Sequence, residues 1–484
     1  MSARHDFEQH LSISGWRSEA RAPCTGHPEL ELESVFPDCA DNMASLVYKV
    51  FMIDPLILRH RLLRPLLPWV LPLRRVLTQS RYDRLHLAYQ RDFLRRQKAY
   101  PGGVPYQLLS TERVAPGVRA YRLRAPVGVR HHGGNTLLVR WHNQDAELQA
   151  LLQAAGWSGD QPVRLRTASS PLSPGGWITT TLATMLRNHL EIRQPSAALL
   201  NHLHLANLPV KPGWNLSAVI AQADTSRLTP EQLAAWQPRL QPRSYSISAI
   251  ERLADRGEVV EILVSQVEET YDQGNGSLRT VLGRCCGYLA SLEPGRDRVA
   301  AWPLAFPLTL ETKRYARTSH TQPPSPPPLL VIATGIAAAG PMLELQELKS
   351  QRPLWMLVGI RHFDPHQPFL QRVLHFANAR PAMRLDLALS RDSAPAWDAL
   401  TNVTWHGHQR VQDVLSKQHA RFQAHFNAAG DTVVIGHTSM GASVQHWLQD
   451  FFQSHTLATT PQEAASLLRR LEGQLRVQYS LSGR

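Results

Sequence analysis

From Leu329 onward, apolar runs alternate with helical patterns, and this alternation limits the fold more than any other feature of the chain. The runs Leu329 to Thr334, Leu354 to Gly359, Arg384 to Leu389 and Thr432 to Gly436 are short and rich in Leu, Val and Ile. Between them, a segment reaching Leu348 and the segments Pro368 to Ala377 and Val411 to Phe426 carry apolar residues at helical spacing. A strand, a helix and a further strand in series predict a parallel, doubly wound sheet. Thr460-Pro461-Gln462-Glu463 predicts a capped helix, and a strand-like tail follows around Val477 to Leu481.

Upstream the period changes. Gln107 to Val114, Val118 to Arg124 and Thr136 to Trp141 read as β-strands broken by Pro-Gly and Gly-Gly, which predicts an antiparallel barrel. Asp145 opens a helix with Leu148, Leu151, Leu152 and Ala155 at i, i+3, i+4 and i+7, and Thr180 to Leu205 and Pro230 to Leu240 also read as helical. A helical insertion over about 143–240 therefore interrupts the barrel, whose strands resume at Ser244 to Ser248 and Val259 to Val267. The Pro/Gly cluster at 100–105 and the stiff Pro323-Pro-Ser-Pro-Pro-Pro328 stretch divide the chain. The expected units are a basic helical region at 1–103, a barrel at 104–322 and an α/β domain at 329–484. A length of 484 residues suits two to four packed units. With 43% hydrophobic and 19% charged residues, wholesale disorder and a fibrous repeat are excluded.

Lys and Arg number 52 against 39 Asp and Glu, a formal charge of +13 that favours anionic partners such as phosphorylated cofactors, acidic proteins or lipid headgroups. The charge is scattered, with no recognised nucleic-acid module, so no nucleic-acid partner is expected. Four cysteines, two of them adjacent, make a disulfide framework unlikely to form and suit a reducing compartment, and no Cys/His set has zinc spacing, so no metal is expected. Gly-x-Ser-x-Gly is absent. The first residues lack the apolar core of a secretory signal, which points to the cytoplasm. Residues 43–75 are apolar but too often broken by Arg and Pro to span a bilayer. They fit either a basic surface lying on the inner face of a membrane or against a partner, or an ordinary helical hairpin.

Chemistry is most legible at Arg243-Ser244-Tyr245-Ser246. On a strand, Arg243 and Tyr245 share one face and Ser246 takes the other, a pattern that holds a phosphate and a planar ring together or is a plain surface strand. The succession of barrel, helical insertion, this RSYS string, Gly283-Arg-Cys-Cys-Gly-Tyr-Leu289 and a β/α domain resembles the ferredoxin-reductase-type, FAD-binding modules of diflavin reductases. It resembles the flavoprotein subunit of assimilatory sulfite reductase in particular. The resemblance covers about residues 106 to 479 and includes no flavodoxin-like domain.

That resemblance implies an oxidoreductase carrying electrons from NADPH through FAD to a separate acceptor, such as a flavodoxin-like protein, a haem protein or an iron chelate, with an acidic acceptor suiting the basic charge. It assigns Arg243 to the FAD pyrophosphate, Tyr245 to stacking on the flavin and Ser246 to its reactive N5. Gly283, Cys285 and Cys286 stand in the family's pyrophosphate helix, with Cys286 where a serine is usual. Gly133-Gly134-Asn135 replaces a Pro-Gly-Asp turn. Thr334 and Gly335 lie in the nucleotide loop, which keeps one glycine of three, so Ala333 and Ala337 are expected to crowd it. Gly359-Ile-Arg-His-Phe363 and Ala388-Leu-Ser-Arg-Asp392 match family strings. Ser390 and Arg391 are then assigned to the NADPH 2′-phosphate, with Arg410 and Gln412 nearby. Ile435 takes the place of a cysteine beside the nicotinamide, and Tyr479 is the candidate for the terminal aromatic that covers the flavin. The resemblance equally allows a divergent flavin-binding or docking subunit without productive NADPH oxidation.

Overall fold

The computed structural model describes residues 102–166, 177–203, 215–222, 228–272, 278–305, 310, 326–347, 352–395, 401–455, 457–474 and 476–482. Residues 1–101 of the basic region, with 43–75, lie outside the described residues, as do residues 323–325 of the proline-rich stretch.

Strands β1 (Val104–Ala115), β2 (Val118–Arg124), β3 (Asn135–Val139), β6 (Arg243–Arg252), β7 (Glu258–Ser265) and β10 (Arg298–Ala305) close into an antiparallel barrel in the order β1-β10-β3-β6-β7-β2. Alternation drives the closure. Tyr106, Leu108, Tyr121, Leu123, Leu137, Val139, Ile247, Val260 and Ile262 point inward and form one core. A buried chain of polar groups closes one end, where the Tyr106 hydroxyl lies 2.9 Å from His131 Nε2 and His131 Nδ1 lies 2.9 Å from the Glu258 carboxylate.

Between β3 and β6 run the helices α1 (Asp145–Ala155), α2 (Leu182–Asn188), α3 (Ala197–His202), α4 (Leu216–Gln222) and α5 (Pro230–Trp236), with their own apolar core. The sequence reading missed a hairpin here, β4 (Pro162–Arg166) with β5 (Trp177–Thr181). The helical pattern expected over Thr180 to Leu205 forms, among the described residues, two short helices, with Leu190 bridged to Arg239 between them. A second small hairpin, β8 (Glu268–Asp272) with β9 (Leu278–Leu282), precedes helix α6 (Arg284–Ala290).

The C-terminal half is a six-stranded parallel sheet with helices on both faces. Its strands are β11 (Leu329–Thr334), β12 (Leu354–Ile360), β13 (Arg384–Leu389), β14 (Val403–Gly407), β15 (Asp431–His437) and β16 (Val477–Ser482), ordered β14-β13-β12-β11-β15-β16. A 3-10 turn over Gly335–Ala338 leads into α7 (Ala339–Glu347). The remaining helices are α8 (Pro368–Asn378), α9 (Val411–Lys417), α10 (His419–Asn427), α11 (Thr438–Ser454) and α12 (Pro461–Gly473). Thr460 accepts from the Glu463 N–H as expected, while the Glu463 carboxylate caps Thr459 instead of Thr460. The strand order reverses direction between β11 and β15, which opens a crevice at the carboxyl ends of these strands.

Barrel and sheet share packing. Val114, Ala120 and Leu263 of the barrel lie in one apolar cluster with Met342 of α7 and Phe369 of α8, and Leu343 of α7 enters the barrel's own core. Arg372 of α8 grips the Glu261 carboxylate of β7 with both terminal nitrogens. Arg252 reaches Glu347 of α7 at 3.2 Å.

Candidate functional site

Strand β6 carries the first half of the site. Arg243 is exposed and Tyr245 half-buried, and pairing with β3 sets Thr136 opposite Ser246 and Leu137 opposite Tyr245. Tyr245 packs on the barrel core, and its hydroxyl meets the Cys285 thiol at the start of α6. Burial pushes the Cys285 thiol up to about 12 and the Tyr245 hydroxyl well above the usual range, so both stay protonated and Cys285 is no nucleophile. The Cys286 thiol turns back to donate to the Gly283 carbonyl at 3.2 Å, as a small residue fixing a helix start would. A Cβ on Gly283 would sit 3.2 Å from both Cys286 Sγ and the Val267 carbonyl oxygen.

Arg243, Tyr245, Gly283, Cys285 and Cys286 are thus brought together. No hydrogen bond among the described residues takes up the N–H groups of Arg284, Cys285 and Cys286, although both cysteines are buried. Gly283 offers no side chain to cap them. Unclaimed donors at a helix start beside an exposed arginine and a ring-bearing strand fit an anionic group attached to a flat one.

The insertion holds this helix from behind. Arg284 Nη1 lies 2.8 Å from the Glu191 carboxylate, and Arg193, 4% exposed, bonds the Glu147 carboxylate at 2.7 Å, Glu269 at 3.0 Å and the Leu282 carbonyl at 3.0 Å. Burial raises the Glu191 carboxyl above its ordinary range, with the Arg284 charge working against that rise.

The second half lies at the carboxyl edge of the sheet. Thr334 ends β11 and Gly335 opens the 3-10 turn after it, Ser390 and Arg391 follow β13, Arg410 precedes α9 and Gln412 lies in its first turn. Two residues given no role by the sequence, Arg361 and His362, follow β12 and stitch the edge together. The Ser390 N–H donates to Ile360 and the Arg391 N–H to Arg361, while Asp392 accepts from the Phe363 N–H at 2.7 Å and lies 3.0 Å from His362. Those contacts, the Phe363 amide first, hold the Asp392 carboxyl below its ordinary range. His408, at a left-handed φ of 51°, sets its ring 3.1 Å from Ser393. No ion pair among the described residues engages Arg361, Arg391 or Arg410, all exposed. This edge therefore presents three unsatisfied cations with a hydroxyl, which suits a phosphate.

Two expectations change. Ala333 is fully buried in the apolar cluster that includes α7 and α8, so its methyl does not enter the crevice as anticipated, while Ala337 is part-exposed and packs against that same cluster. Tyr479 pairs in register with Val434, and both belong to the cluster on the face covered by α11 and α12. Ile435 belongs to the opposite face. Tyr479 therefore cannot cover a ring at Ser246, and its buried hydroxyl is pushed above its usual range by burial.

Between the halves is a small crevice lined by Gly134, Asn135, Ser246, Leu310, Gly340, Pro341, Glu344 and Ile435. It is open for about 10 Å³, roughly one water. A Cβ on Gly340 would stand 3.0 Å from that of Ser246, so the start of α7 sits directly against the RSYS strand.

No family model matches the chain. Curated relatives do. The sulfite reductase [NADPH] flavoprotein alpha-components of Yersinia pestis bv. Antiqua (strain Antiqua) and Yersinia pseudotuberculosis serotype I (strain IP32953) are each 28% identical to it over 286 residues. The chain is similar to the flavoprotein alpha-component of sulfite reductase. The match takes in 55% of this chain and 42% of each relative, so the chain spans less than half the length of the curated relatives it matches. A closed antiparallel barrel followed by a parallel sheet is the architecture that the resemblance in the sequence implied.

Proposed function

We propose that this chain is an FAD-dependent reductase that takes electrons from NADPH and delivers them to a separate acceptor. One observation carries the reading: Ser246, on the ring-holding strand, and Ile435, on the central strand of the nucleotide-type sheet, line the same crevice. A ring held by β6 then lies beside whatever the carboxyl edge of the sheet holds, and the name of the Yersinia relatives joins NADPH to a flavoprotein.

Arg243 and the free N–H groups of α6 would hold the FAD pyrophosphate, Tyr245 would face the flavin, and Ser246 would present its hydroxyl at the reactive end. Ser390, Arg391 and Arg410 would hold the 2′-phosphate of NADPH, with Thr334, Gly335 and Gln412 lining its path. Bound FAD supplies two-electron acceptance with one-electron release, and the protein orients the rings and excludes water. With Ile435 in place of a thiol, orientation at this point rests on shape alone. The acceptor would be a flavodoxin-like protein, a haem protein or an iron chelate, and the net charge of +13 would draw an acidic one. No described helix is long and apolar enough to cross a membrane, and a cytoplasmic enzyme is proposed.

An anaerobic NADPH titration of the FAD-reconstituted protein, followed by flavin absorbance, tests the reading. Bleaching by NADPH, and far less by NADH, is expected. The narrow crevice at Ser246 and the displaced Tyr479 favour a second reading, a flavin-holding docking subunit. Bound flavin bleached by dithionite but not by NADPH would establish that second reading and end the first.

A further inference from the structure

At the carboxyl end of β15, Val433 and Ile435 pack on the side turned to α7 and α8, and strand alternation puts His437 on that same side, about 7 Å beyond Ile435. Ile435 lines the crevice with Ser246 and is 6% exposed, whereas His437 is exposed. His437 therefore stands at the mouth of that crevice, one pleat further out. Gly436 between them is closely packed. A Cβ there would stand 2.1 Å from Thr334 Oγ1 and 3.0 Å from Met440 Cε, so this end of β15 is seated against the end of β11 and the first turn of α11.

His437 is also the N-cap of α11, and its Nδ1 accepts from the Ser439 N–H at 3.2 Å. A backbone N–H can only donate, so Nδ1 carries no hydrogen, and the Ser439 hydroxyl, 2.8 Å away, is a second donor to it. The ring hydrogen then sits on Nε2, which no hydrogen bond among the described residues engages. An N–H donor held in one tautomer suits a neutral carbonyl acceptor.

We propose that His437 orients the nicotinamide by donating its Nε2–H to the carboxamide carbonyl. The proposal rests on the reductase reading above. The ring would lie along β15, with its reacting edge toward Ile435 and Ser246 and its carboxamide toward His437, since the two positions are about one substituted pyridine ring apart. Ile435 offers only shape at this point, so a donor further along the same face supplies direction. A single neutral hydrogen bond made in the reacting pose sets the scale at about 3- to 10-fold in rate.

The test uses the full FAD-loaded chain, with NADPH and its thionicotinamide analogue, whose C=S is a poor acceptor, as paired electron donors. His437→Asp keeps an N-cap acceptor but has no N–H, and His437→Gln loses the cap but sets an amide N–H at the reach of Nε2. Relative to wild type, the NADPH-to-analogue ratio of flavin bleaching rates should fall about 3- to 10-fold in His437→Asp and hold within about 2-fold in His437→Gln. Independently of turnover, nitrogen NMR of the histidine-labelled chain should place the hydrogen on Nε2 in the resonance that His437→Asp removes. NADP+ should shift that resonance, while adenosine 2′,5′-bisphosphate, which lacks the nicotinamide, should not. An unchanged ratio in His437→Asp, or equal responses to both ligands, would overturn the proposal. A ratio kept in His437→Asp but lost in His437→Gln would assign His437 to capping alone and likewise overturn it. Wild-type flavin bleached by dithionite but not by NADPH would instead end the reductase reading, and this proposal with it.

Discussion

Gly436 has no side chain because Thr334 stands where one would be, its Oγ1 2.1 Å from the position of a Cβ, and its φ of +149° is one few other residues adopt. Gly436→Ala should therefore cost about 1–3 kcal/mol in urea unfolding, and a loss under 0.5 kcal/mol would refute this account. His425 illustrates a second constraint on single residues. It is buried against Thr432, with its Nε2 3.3 Å from the hydroxyl, and burial, aided by the Arg476 and Arg352 charges, pulls its pKa down to about 4. Unfolded, the ring titrates near 6.5, so between these values the unfolded chain binds the proton that the folded one refuses. Stability should fall as pH drops through that window, by up to about 3 kcal/mol, and His425→Gln should flatten this part of the curve. Asp386 behaves oppositely. Burial works against its charge, yet hydrogen bonds from His406, Arg384 and Trp355 outweigh it and hold the carboxyl low.

Among the elements, α6 depends most on its surroundings. It has seven residues and no side-chain cap, too little for a helix to persist alone, and Arg193 and the Arg284–Glu191 pair fasten it to the insertion. Arg193→Met should cost roughly 3 kcal/mol, the lower end for breaking a buried pair because Glu269 is 31% exposed, and calorimetry of the purified variant would check it. Elements with strong periodicity were legible in advance. Val118–Arg124, Leu329–Thr334 and Arg384–Leu389 begin and end where the sequence pattern does, since each is a short apolar or alternating run bounded by breakers. The helix expected over Val411 to Phe426 is two, because Gln418 departs from helical geometry between α9 and α10. Strands β4 and β5 were missed because Arg-Leu-Arg and Thr-Thr-Thr carry little apolar signal.

For the molecule as a whole, the proposed function requires that barrel strand β6 and the carboxyl edge of the sheet meet, and α7 and α8 pack against both barrel and sheet. If the edge cations serve NADPH, Ser390→Ala with Arg391→Ala should weaken NADPH binding about 10- to 100-fold while leaving NADH unchanged, as measured by calorimetric titration. Equal weakening of both nucleotides would remove these residues from the 2′-phosphate. The sequence by itself determined the order of barrel, insertion and parallel sheet, and the strings that hold Arg243, Tyr245, Ser246, Ser390 and Arg391, because period and turn chemistry are local properties of the chain. Only the tertiary structure decided that Tyr479 faces away from Ser246, that Ala333 packs inward and that Glu344 lies at the crevice. Which face a strand turns to its neighbours, and which helix crosses which barrel strand, depend on contacts between residues tens to hundreds of positions apart, and no local pattern encodes them.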